Sequence, residues 1–416
     1  MRARLAALVA ASALIASLPS SAHADFTCST IVRSLQMDPD GRLLTPRFAN
    51  EVATNAAGDA MFIGRPFASK LRLYLYPGSG TPETVAAANT PAPNGGFFRA
   101  ASPFHDYSIN DSGDLAFLAG LSAGEGVFVR RAGVYETAAA TSLPSPNGGF
   151  FGDIMSLSQI NASGQVAFAA EVSGAPAGVF LYDSATDTLS TVLEVDDVTA
   201  SGRELCEFRT VGLGDSGSVA VRATSKLDCE NPLESALDGV FFDDGVSIAE
   251  VALEGTATPI GGTTYAGFDP PVFVNAADKV GFVAQVEGVI NVGAIFLFDP
   301  AGPAVSNVVT RGDSSPAGGA IGKIAGFDLT DDDRAFLRAT LTGTPERFGV
   351  FAFDGTSSTV LVKSSPPPTD VFGVGSVFTS LSTPAVAGDG SHVVLHARIR
   401  DVNPPHSTRA ILRCVP

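Results

Sequence analysis

A phrase of eight residues recurs seven times along the chain at a nearly regular spacing. Its clearest copies are NDSGDLAF at Asn110 and NASGQVAF at Asn161, which share the pattern N-x-x-G-x-x-A-F. The seven copies begin at residues 55, 110, 161, 214, 275, 330 and 387, so the repeat is 51 to 61 residues long. Self-similarity at a fixed period predicts a repeat architecture in which every copy folds into the same small unit.

An opening loop precedes each copy of this phrase. Its best preserved form, PNGGFF, begins at Pro93 and again at Pro146, and the looser versions read DPDGRLLTPRF, TASGRELCEF, TPIGGTTYAGF, SPAGGAIGKIAGF and PTDVFGVGSVF. Asn and Gly adopt positive φ at low cost, and aromatic residues attach a loop to the core. We predict at least one positive φ in each NGG segment, the same backbone conformation in both, and Phe pairs buried in the seams between units.

Each repeat contains four short apolar segments that we interpret as strands A to D. Examples are Phe104–Ile109 for strand A, Leu115–Gly120 for strand B, Gly178–Asp183 for strand C and Thr191–Val195 for strand D. Strands B and C are apolar at consecutive positions, which indicates that both faces are buried. A small sheet covered on both faces by its own copies is typical of a propeller blade. The sequence therefore predicts an all-β fold, a seven-bladed β-propeller of four-stranded blades.

The two ends of the repeat array indicate how the ring closes. A strand like D, Thr27–Leu35, precedes the first repeat, and the last repeat ends on a strand like C, Thr408–Val415. A linear array would leave two half-units with open edges, which proteins avoid. We therefore predict that the N-terminal strand completes the last blade.

Four cysteines fit this arrangement as two disulfides. Cys28 and Cys414 fall on the two strands that would meet at the closure, and Cys206 and Cys229 flank one A–B turn. An even number of cysteines in an exported chain favours disulfides. The alternative, a metal site, lacks histidine or further cysteine ligands, so we predict no metal centre at these positions.

The first 24 residues have the pattern of a secretory signal peptide. Arg2 and Arg4 precede an apolar run, Leu5–Leu18, that is too short to span a membrane, and Ala22-His23-Ala24 provides small residues for cleavage before Asp25. Residues 25–416 would then form a single propeller domain of seven repeats of about 55 residues. We expect a secreted or periplasmic protein with no transmembrane segment.

The charge of the chain excludes one class of partner. The 416 residues carry a formal net charge of −17, and removal of Arg2 and Arg4 with the signal peptide lowers it to −19. A surface with this excess of carboxylates repels nucleic acid and favours solubility. We predict no nucleic-acid partner and a monomeric protein.

The repeats INDSGDLAF and INASGQVAF resemble the N-x-x-G-x-x-A-F tandem repeat of exported bacterial proteins, a family whose members differ in their C-terminal membrane anchor. The resemblance extends over nearly all of the chain after the signal peptide. It implies an exported repeat protein and points to no particular activity.

Residue types that carry catalysis are scarce and dispersed. GDSG at residues 214–217 occupies the position of an N-x-x-G turn, and a serine on a turn without a histidine base does not make a triad. We predict no catalytic residues. Calcium, which takes oxygen ligands, is the one cofactor with candidate ligands, namely the turn acids Asp38, Asp40, Asp196, Asp197, Asp331, Asp332 and Asp333.

Two functions remain open at this point. The first is an exported, non-catalytic propeller that binds an unknown protein or glycan, or serves as a structural protein of the cell envelope or extracellular space. Its site would be the rim formed by the D–A loops, where loops on a rigid scaffold carry function, with the residues Asn94, Phe97, Phe98, Asn147, Phe150, Phe151 and Asp153. The alternative is a calcium-assisted, lactonase-like hydrolase whose carboxylates meet in the central channel.

Overall fold

The computed structural model describes residues 26–101, 103–288, 292–364, 377–400 and 407–416. The predicted signal peptide and most of the seventh opening loop lie outside these residues. Within them β-strands are the only regular secondary structure, and each of the first six repeats contributes one group of four strands. The strands lie on the apolar runs of the sequence, and the turns lie between these runs.

The 29 strands in the described residues are β1 (Thr27–Arg33), β2 (Leu44–Thr54), β3 (Ala60–Pro66), β4 (Arg72–Tyr76), β5 (Glu83–Ala87), β6 (Phe104–Ile109), β7 (Leu115–Gly120), β8 (Glu125–Arg131), β9 (Val134–Ala140), β10 (Phe150–Leu157), β11 (Gln165–Ser173), β12 (Gly178–Asp183), β13 (Thr188–Glu194), β14 (Glu204–Leu213), β15 (Val219–Lys226), β16 (Leu237–Asp243), β17 (Ile248–Leu253), β18 (Thr263–Val274), β19 (Val280–Gly288), β20 (Val292–Asp299), β21 (Ala304–Thr310), β22 (Ala320–Leu329), β23 (Ala335–Thr342), β24 (Phe348–Phe353), β25 (Ser358–Lys363), β26 (Val377–Leu381), β27 (Ala385–Val386), β28 (Val393–Arg400) and β29 (Ser407–Val415).

Seven antiparallel sheets form the blades of a seven-bladed β-propeller, which confirms the predicted fold class. Blades 1 to 6 each contain four consecutive strands, from β2-β3-β4-β5 in blade 1 to β22-β23-β24-β25 in blade 6. In blade 7 the order is β26, β28, β29 and β1, with the short β27 also paired to β28. The inner strand of blade 7 is therefore interrupted, a detail that the repeat did not reveal.

The ring closes through the N-terminal strand, as predicted. β1 pairs with β29 from Thr27 opposite Val415 to Arg33 opposite Ala410. Cys28 lies opposite Cys414 in this register, and the two are bonded. The Cys206–Cys229 disulfide is also present, so both predicted pairings are confirmed.

The hydrophobic core is divided among the seams between neighbouring blades. All six residues of β7 are buried, and so are all five of β4. One cluster joins Met61 and Leu73 of blade 1 to Phe104 and Phe117 of blade 2. Consecutive apolar residues on the middle strands are needed because each face of a blade packs against a neighbour.

The turns of the N-x-x-G phrase share one backbone conformation. The fourth residue has positive φ in all seven copies, at Gly58, Gly113, Gly164, Gly217, Asp278, Asp333 and Gly390. Its amide donates to the carbonyl of the first residue, at 2.8 to 3.2 Å. Glycine adopts this conformation without strain, which explains its place in five of the seven copies.

Candidate functional site

The asparagine of the repeated phrase connects its blade to the next one in blades 1, 2, 3 and 5. Asn55 Nδ2 donates to the carbonyl of Asn110 at 2.9 Å, and Asn110 Nδ2 donates to that of Asn161 at 2.9 Å. Asn161 Nδ2 continues to Gly214 at 3.0 Å. Asn110 Oδ1 also accepts the amide of Asp114 at 2.9 Å, which holds its own turn. We call this series the asparagine ladder; sequence reasoning missed it because each acceptor lies one repeat away.

In blades 2, 4 and 6 the second residue of the N-x-x-G turn is an aspartate, and its carboxylate binds the blade before it. The amide of Ala56 donates to Asp111 Oδ1 at 2.7 Å, and the amide of Ala276 donates to Asp331 Oδ1 at 2.9 Å. Asp215 accepts from the amide of residue 162 in the same way, at 2.9 Å. These three turn acids stand at one mouth of the central channel and bind backbone amides of the preceding blade.

The inner strands enclose a channel with a cavity of about 860 Å³. Its lining includes the six carboxylates Glu51, Asp106, Asp111, Asp215, Asp328 and Asp331. Among the described residues that line it, Arg338 is the one cation. Burial lowers the pKa of this guanidinium. The described lining of the channel thus carries a large excess of negative charge.

Two of these carboxyl groups lie on neighbouring blades, and the charge of one acts on the other. Burial raises the pKa of Glu51, and the nearby charge of Asp106 raises it further. Burial also raises the pKa of Asp106, although the amide of Leu157 donates to it at 3.4 Å. Asp106 has φ of 26° and interrupts the register between β6 and β7. This bulge is a local feature that periodicity does not predict.

Asp328 is the most buried carboxylate of the channel, with 4% of its surface exposed. It accepts hydrogen bonds from the amides of Val386 and Leu329 at 2.8 and 2.9 Å and from Gln159 Nε2 at 3.4 Å. Gln159 belongs to blade 3 and Asp328 to blade 6, so this contact crosses the channel. Burial outweighs these hydrogen bonds and raises the pKa of Asp328 to about 6.

Six of the seven turn acids that the sequence offered as calcium ligands have protein partners. Asp38 and Asp40 both pair with Arg72. The Asp38 carboxylate also accepts from the hydroxyl of Tyr74 at 3.0 Å. The remaining candidates are dispersed: Asp332 pairs with Arg334, Asp333 with Lys279, Asp197 with the amide of Glu194, and Asp331 with the amide of Ala276.

One group of three metal-capable side chains comes together within 4.8 Å in the part of the chain that the structure describes. It consists of Asp196, Glu204 and Cys229. The sulfur of Cys229 is bonded to Cys206 and is therefore not a thiolate ligand. No three described channel carboxylates approach one another this closely.

The opening loops place their two Phe residues in different environments. Phe98 and Phe151 are 4% and 2% exposed, as predicted for residues in the seams. Phe97 and Phe150 are 53% and 54% exposed, so the expectation that both members of each pair are buried is wrong. The two residues alternate across an extended segment, and only one of them faces the core.

The two NGG segments are similar without being identical. Gly95 and Gly148 both have positive φ, at 86° and 95°, which confirms the prediction of at least one such residue. Gly149 also has positive φ, whereas Gly96 does not, so the predicted identity of the two loops is wrong. Asn94 Oδ1 accepts the amide of the second loop glycine at 3.3 Å. The loops are stabilised by different contacts.

The other candidate rim residues lie around these loops. Asn147 Nδ2 donates to the carbonyl of Pro176 at 3.0 Å, and Asn147 Oδ1 accepts from Ser145. Asp153 is an exposed residue of β10, close to the loop that ends at Phe150. The rim thus combines exposed polar groups with exposed aromatic rings.

Matched positions in the other blades show which loop residue is structural. The first of the two positions pairs with a residue earlier in the loop in six blades, and it is occupied by Leu43, Phe97, Phe150, Glu204, Thr264 and Ala320. It is exposed in blades 1 to 3 and half-buried in blades 4 to 6. The residue after it is at most 4% exposed in every case, and the series is Leu44, Phe98, Phe151, Leu205, Tyr265 and Ile321. The second position is a core residue, whereas the residue type at the first position differs among the blades.

Several solved structures are similar to this one, and the first agrees with the propeller fold. The β-propeller domain of the Trilobed protease from Pyrococcus furiosus, described as having an open velcro topology, is 7% identical and covers 88% of this chain and 94% of that one, with a TM-score of 0.51. A chain from a study of two prolyl endopeptidases is 12% identical over 88% of this chain and 50% of that chain, with a TM-score of 0.49. The BP39L lectin from Burkholderia pseudomallei is 13% identical over 87% and 98%, with a TM-score of 0.43. At these identities the likeness concerns the fold alone.

Two further findings concern where the protein folds and what it resembles. The two disulfides indicate a protein that folds outside the cytoplasm. None of the described residues belongs to a helix that is long and apolar enough to cross a membrane. No curated protein matches the sequence significantly. The model of a family described as a family of unknown function, DUF7453, matches residues 54–411, and the chain therefore belongs to that family.

Proposed function

We propose that this protein is an exported, non-catalytic binding protein that holds a partner on the rim formed by its D–A and B–C loops. The observation that carries the proposal is the exposed apolar residue of the opening loop, which is Leu43, Phe97 and Phe150 in blades 1 to 3. Its buried neighbour suffices to attach the loop to the core. A second apolar residue that stays half in water adds little to stability and is typical of a contact surface.

The distribution of exposed apolar residues supports the same rim. Of thirteen large hydrophobic residues that the structure describes as exposed, ten lie on the rim formed by the D–A and B–C loops: Leu35, Met37, Leu43, Phe67, Phe97, Leu143, Phe150, Val198, Leu227 and Leu233. The opposite rim has only Val134 and Val246 in the described residues. All ten belong to the loops of blades 1 to 4. Loops on a rigid scaffold commonly carry binding residues.

The proposal is tested by selection of a displayed random-peptide library on the purified protein. We expect enriched peptides that lose binding to a Phe97→Ser/Phe150→Ser variant. A Val134→Ser/Val246→Ser variant is the matched control, since those valines are 63% and 91% exposed on the other rim, and it should bind like the wild type. Enriched peptides that bind both variants equally, or that fail only on the control, would overturn the rim proposal.

A calcium-assisted hydrolase is the second candidate, because six of the described carboxylates line the channel. Calcium needs six to eight oxygen ligands, so carbonyl and water oxygens would have to complete the coordination shell around the described carboxylates. A rise in melting temperature at about millimolar calcium that disappears in Glu51→Gln/Asp106→Asn, together with calcium-dependent hydrolysis of a lactone, would support it. A melting temperature indifferent to calcium and no lactone turnover would contradict it.

A further inference from the structure

One part of the rim combines exposed apolar residues with exposed cations. We define the basic–apolar patch as Leu35, Met37, Leu43 and Phe67 together with Arg42, Arg65 and Lys70. The four apolar residues are 72%, 61%, 42% and 72% exposed, and the three cations are exposed as well. On a chain with a net charge of −17, a cluster of three exposed cations among apolar side chains is unusual.

Backbone contacts show that these residues form one continuous surface. The amide of Phe67 donates to the carbonyl of Leu43 at 2.6 Å, and the amide of Leu35 donates to that of Leu44 at 2.7 Å. Met37 forms an isolated bridge with Leu43. The loop after β1 and the turn after β3 are thereby held side by side.

The same contacts bring two guanidinium groups together. Arg42 Nη1 donates to Ser69 Oγ at 2.9 Å, and Arg65 Nε donates to the carbonyl of Ser69 at 3.1 Å. Lys70 is the next residue. Because both guanidinium groups bind Ser69, their positive charges lie close together and raise the local positive potential, which favours an anionic ligand.

The nearby acidic residues offset only part of this charge. Asp38 and Asp40 are occupied by Arg72, which lies beneath the loop and is 7% exposed. Within the described residues, neither Arg42 nor Arg65 forms an ion pair. Their guanidinium groups keep donors for a carboxylate that arrives from outside.

We infer that the basic–apolar patch binds a segment of a partner protein that carries both carboxylates and apolar side chains. This inference rests on the proposed function and names the chemistry of the partner. Carboxylates of the segment would pair with Arg42, Arg65 and Lys70, and its apolar residues would cover Leu43 and Phe67. A short segment meets mainly the local positive potential, whereas an extended anionic membrane would also meet the net negative charge of the whole propeller.

The test measures fluorescence anisotropy of a labelled peptide that alternates Glu with Leu and Phe. We expect saturable binding that weakens as ionic strength rises. Charge reversal in Arg42→Glu/Arg65→Glu should weaken binding at least about tenfold, and Phe67→Ser should weaken it by a similar factor. The matched controls are Arg347→Glu, exposed on the same rim at blade 6, and Val246→Ser on the other rim, and both should bind like the wild type.

The other outcomes separate this inference from the proposed function. Equal binding by wild type and Arg42→Glu/Arg65→Glu, or equal binding of a peptide with Lys in place of Glu, would overturn the inference. So would sedimentation with phosphatidylglycerol vesicles in the absence of peptide binding, which would assign the patch to a membrane. If the displayed library yields peptides that depend on Phe97 and Phe150 but are not acidic, the rim proposal stands and the inference about the patch fails.

Discussion

Adjacent phenylalanines in one opening loop offer a controlled comparison of core and surface. Phe98 is 4% exposed, and its ring lies 5.4, 6.1 and 5.5 Å from the rings of Phe104, Phe117 and Phe128. Phe97 is 53% exposed. The same substitution at neighbouring positions therefore removes very different amounts of packing.

The expected losses follow from these surroundings. Phe98→Ala leaves a cavity among three aromatic rings and should lower the free energy of unfolding by about 3–5 kcal/mol. Phe97→Ala removes only the buried half of a ring. Since full burial of such a side chain contributes about 1.5–3 kcal/mol, we expect a loss of about 1 kcal/mol.

The measurement is equilibrium unfolding in urea of the oxidised protein, followed by both circular dichroism and tyrosine fluorescence so that coincident transitions can be checked. The pair Phe150→Ala and Phe151→Ala repeats the comparison in the next blade, where Phe151 is 2% exposed. Phe97→Ala could prove as destabilising as Phe98→Ala, and Phe150→Ala as destabilising as Phe151→Ala. Each loop would then be anchored through both rings, and the division into core and contact residues would be wrong.

Three further predictions concern the ladder, the channel and the closure. Asn110→Ala should lower the free energy of unfolding by about 3 kcal/mol, because a buried turn amide and the carbonyl of Asn161 lose their partner; urea unfolding that matches the wild type would contradict this. Asp328 has its pKa raised to about 6 by burial, so its ionisation opposes folding. The free energy of unfolding should fall by about 3 kcal/mol as pH rises from about 3 to about 7, and Asp328→Asn should remove this part of the pH dependence in urea midpoints. Cys28→Ser/Cys414→Ser should lose up to about 5 kcal/mol, seen as a lower melting temperature; an unchanged melting temperature would show that strand pairing alone closes the ring.

The architecture could be predicted from the sequence because a similar pattern of turns and apolar segments recurs in every blade. The predicted strands Phe104–Ile109, Leu115–Gly120 and Gly178–Asp183 coincide with β6, β7 and β12. The unmatched strands at the two ends led to the closure through β1 and β29 and to the Cys28–Cys414 bond. The pattern recurs because both faces of every blade pack against neighbouring blades, which requires apolar residues at equivalent positions.

The functional surfaces could be predicted less well, for reasons that are local. A repeated pair of phenylalanines does not show which ring faces the core, since extended residues alternate and the register comes from the neighbouring strand. The bulge at Asp106, which shapes the channel lining, interrupts the periodicity that sequence reasoning uses. The basic–apolar patch joins two loops of blade 1 through Ser69, a contact between positions 27 residues apart.

The closure of blade 7 has a consequence for the chain as a polymer. The Cα atoms of Cys28 and Cys414 are 4.0 Å apart, so the covalent path through the seven blades returns to its starting point. The described chain is therefore equivalent to a circle that has been cut inside one sheet. A circular permutant that joins residue 416 to residue 26 by a short linker and opens a loop between two other blades should keep all seven sheets, and its circular dichroism spectrum would show whether the position of the cut matters.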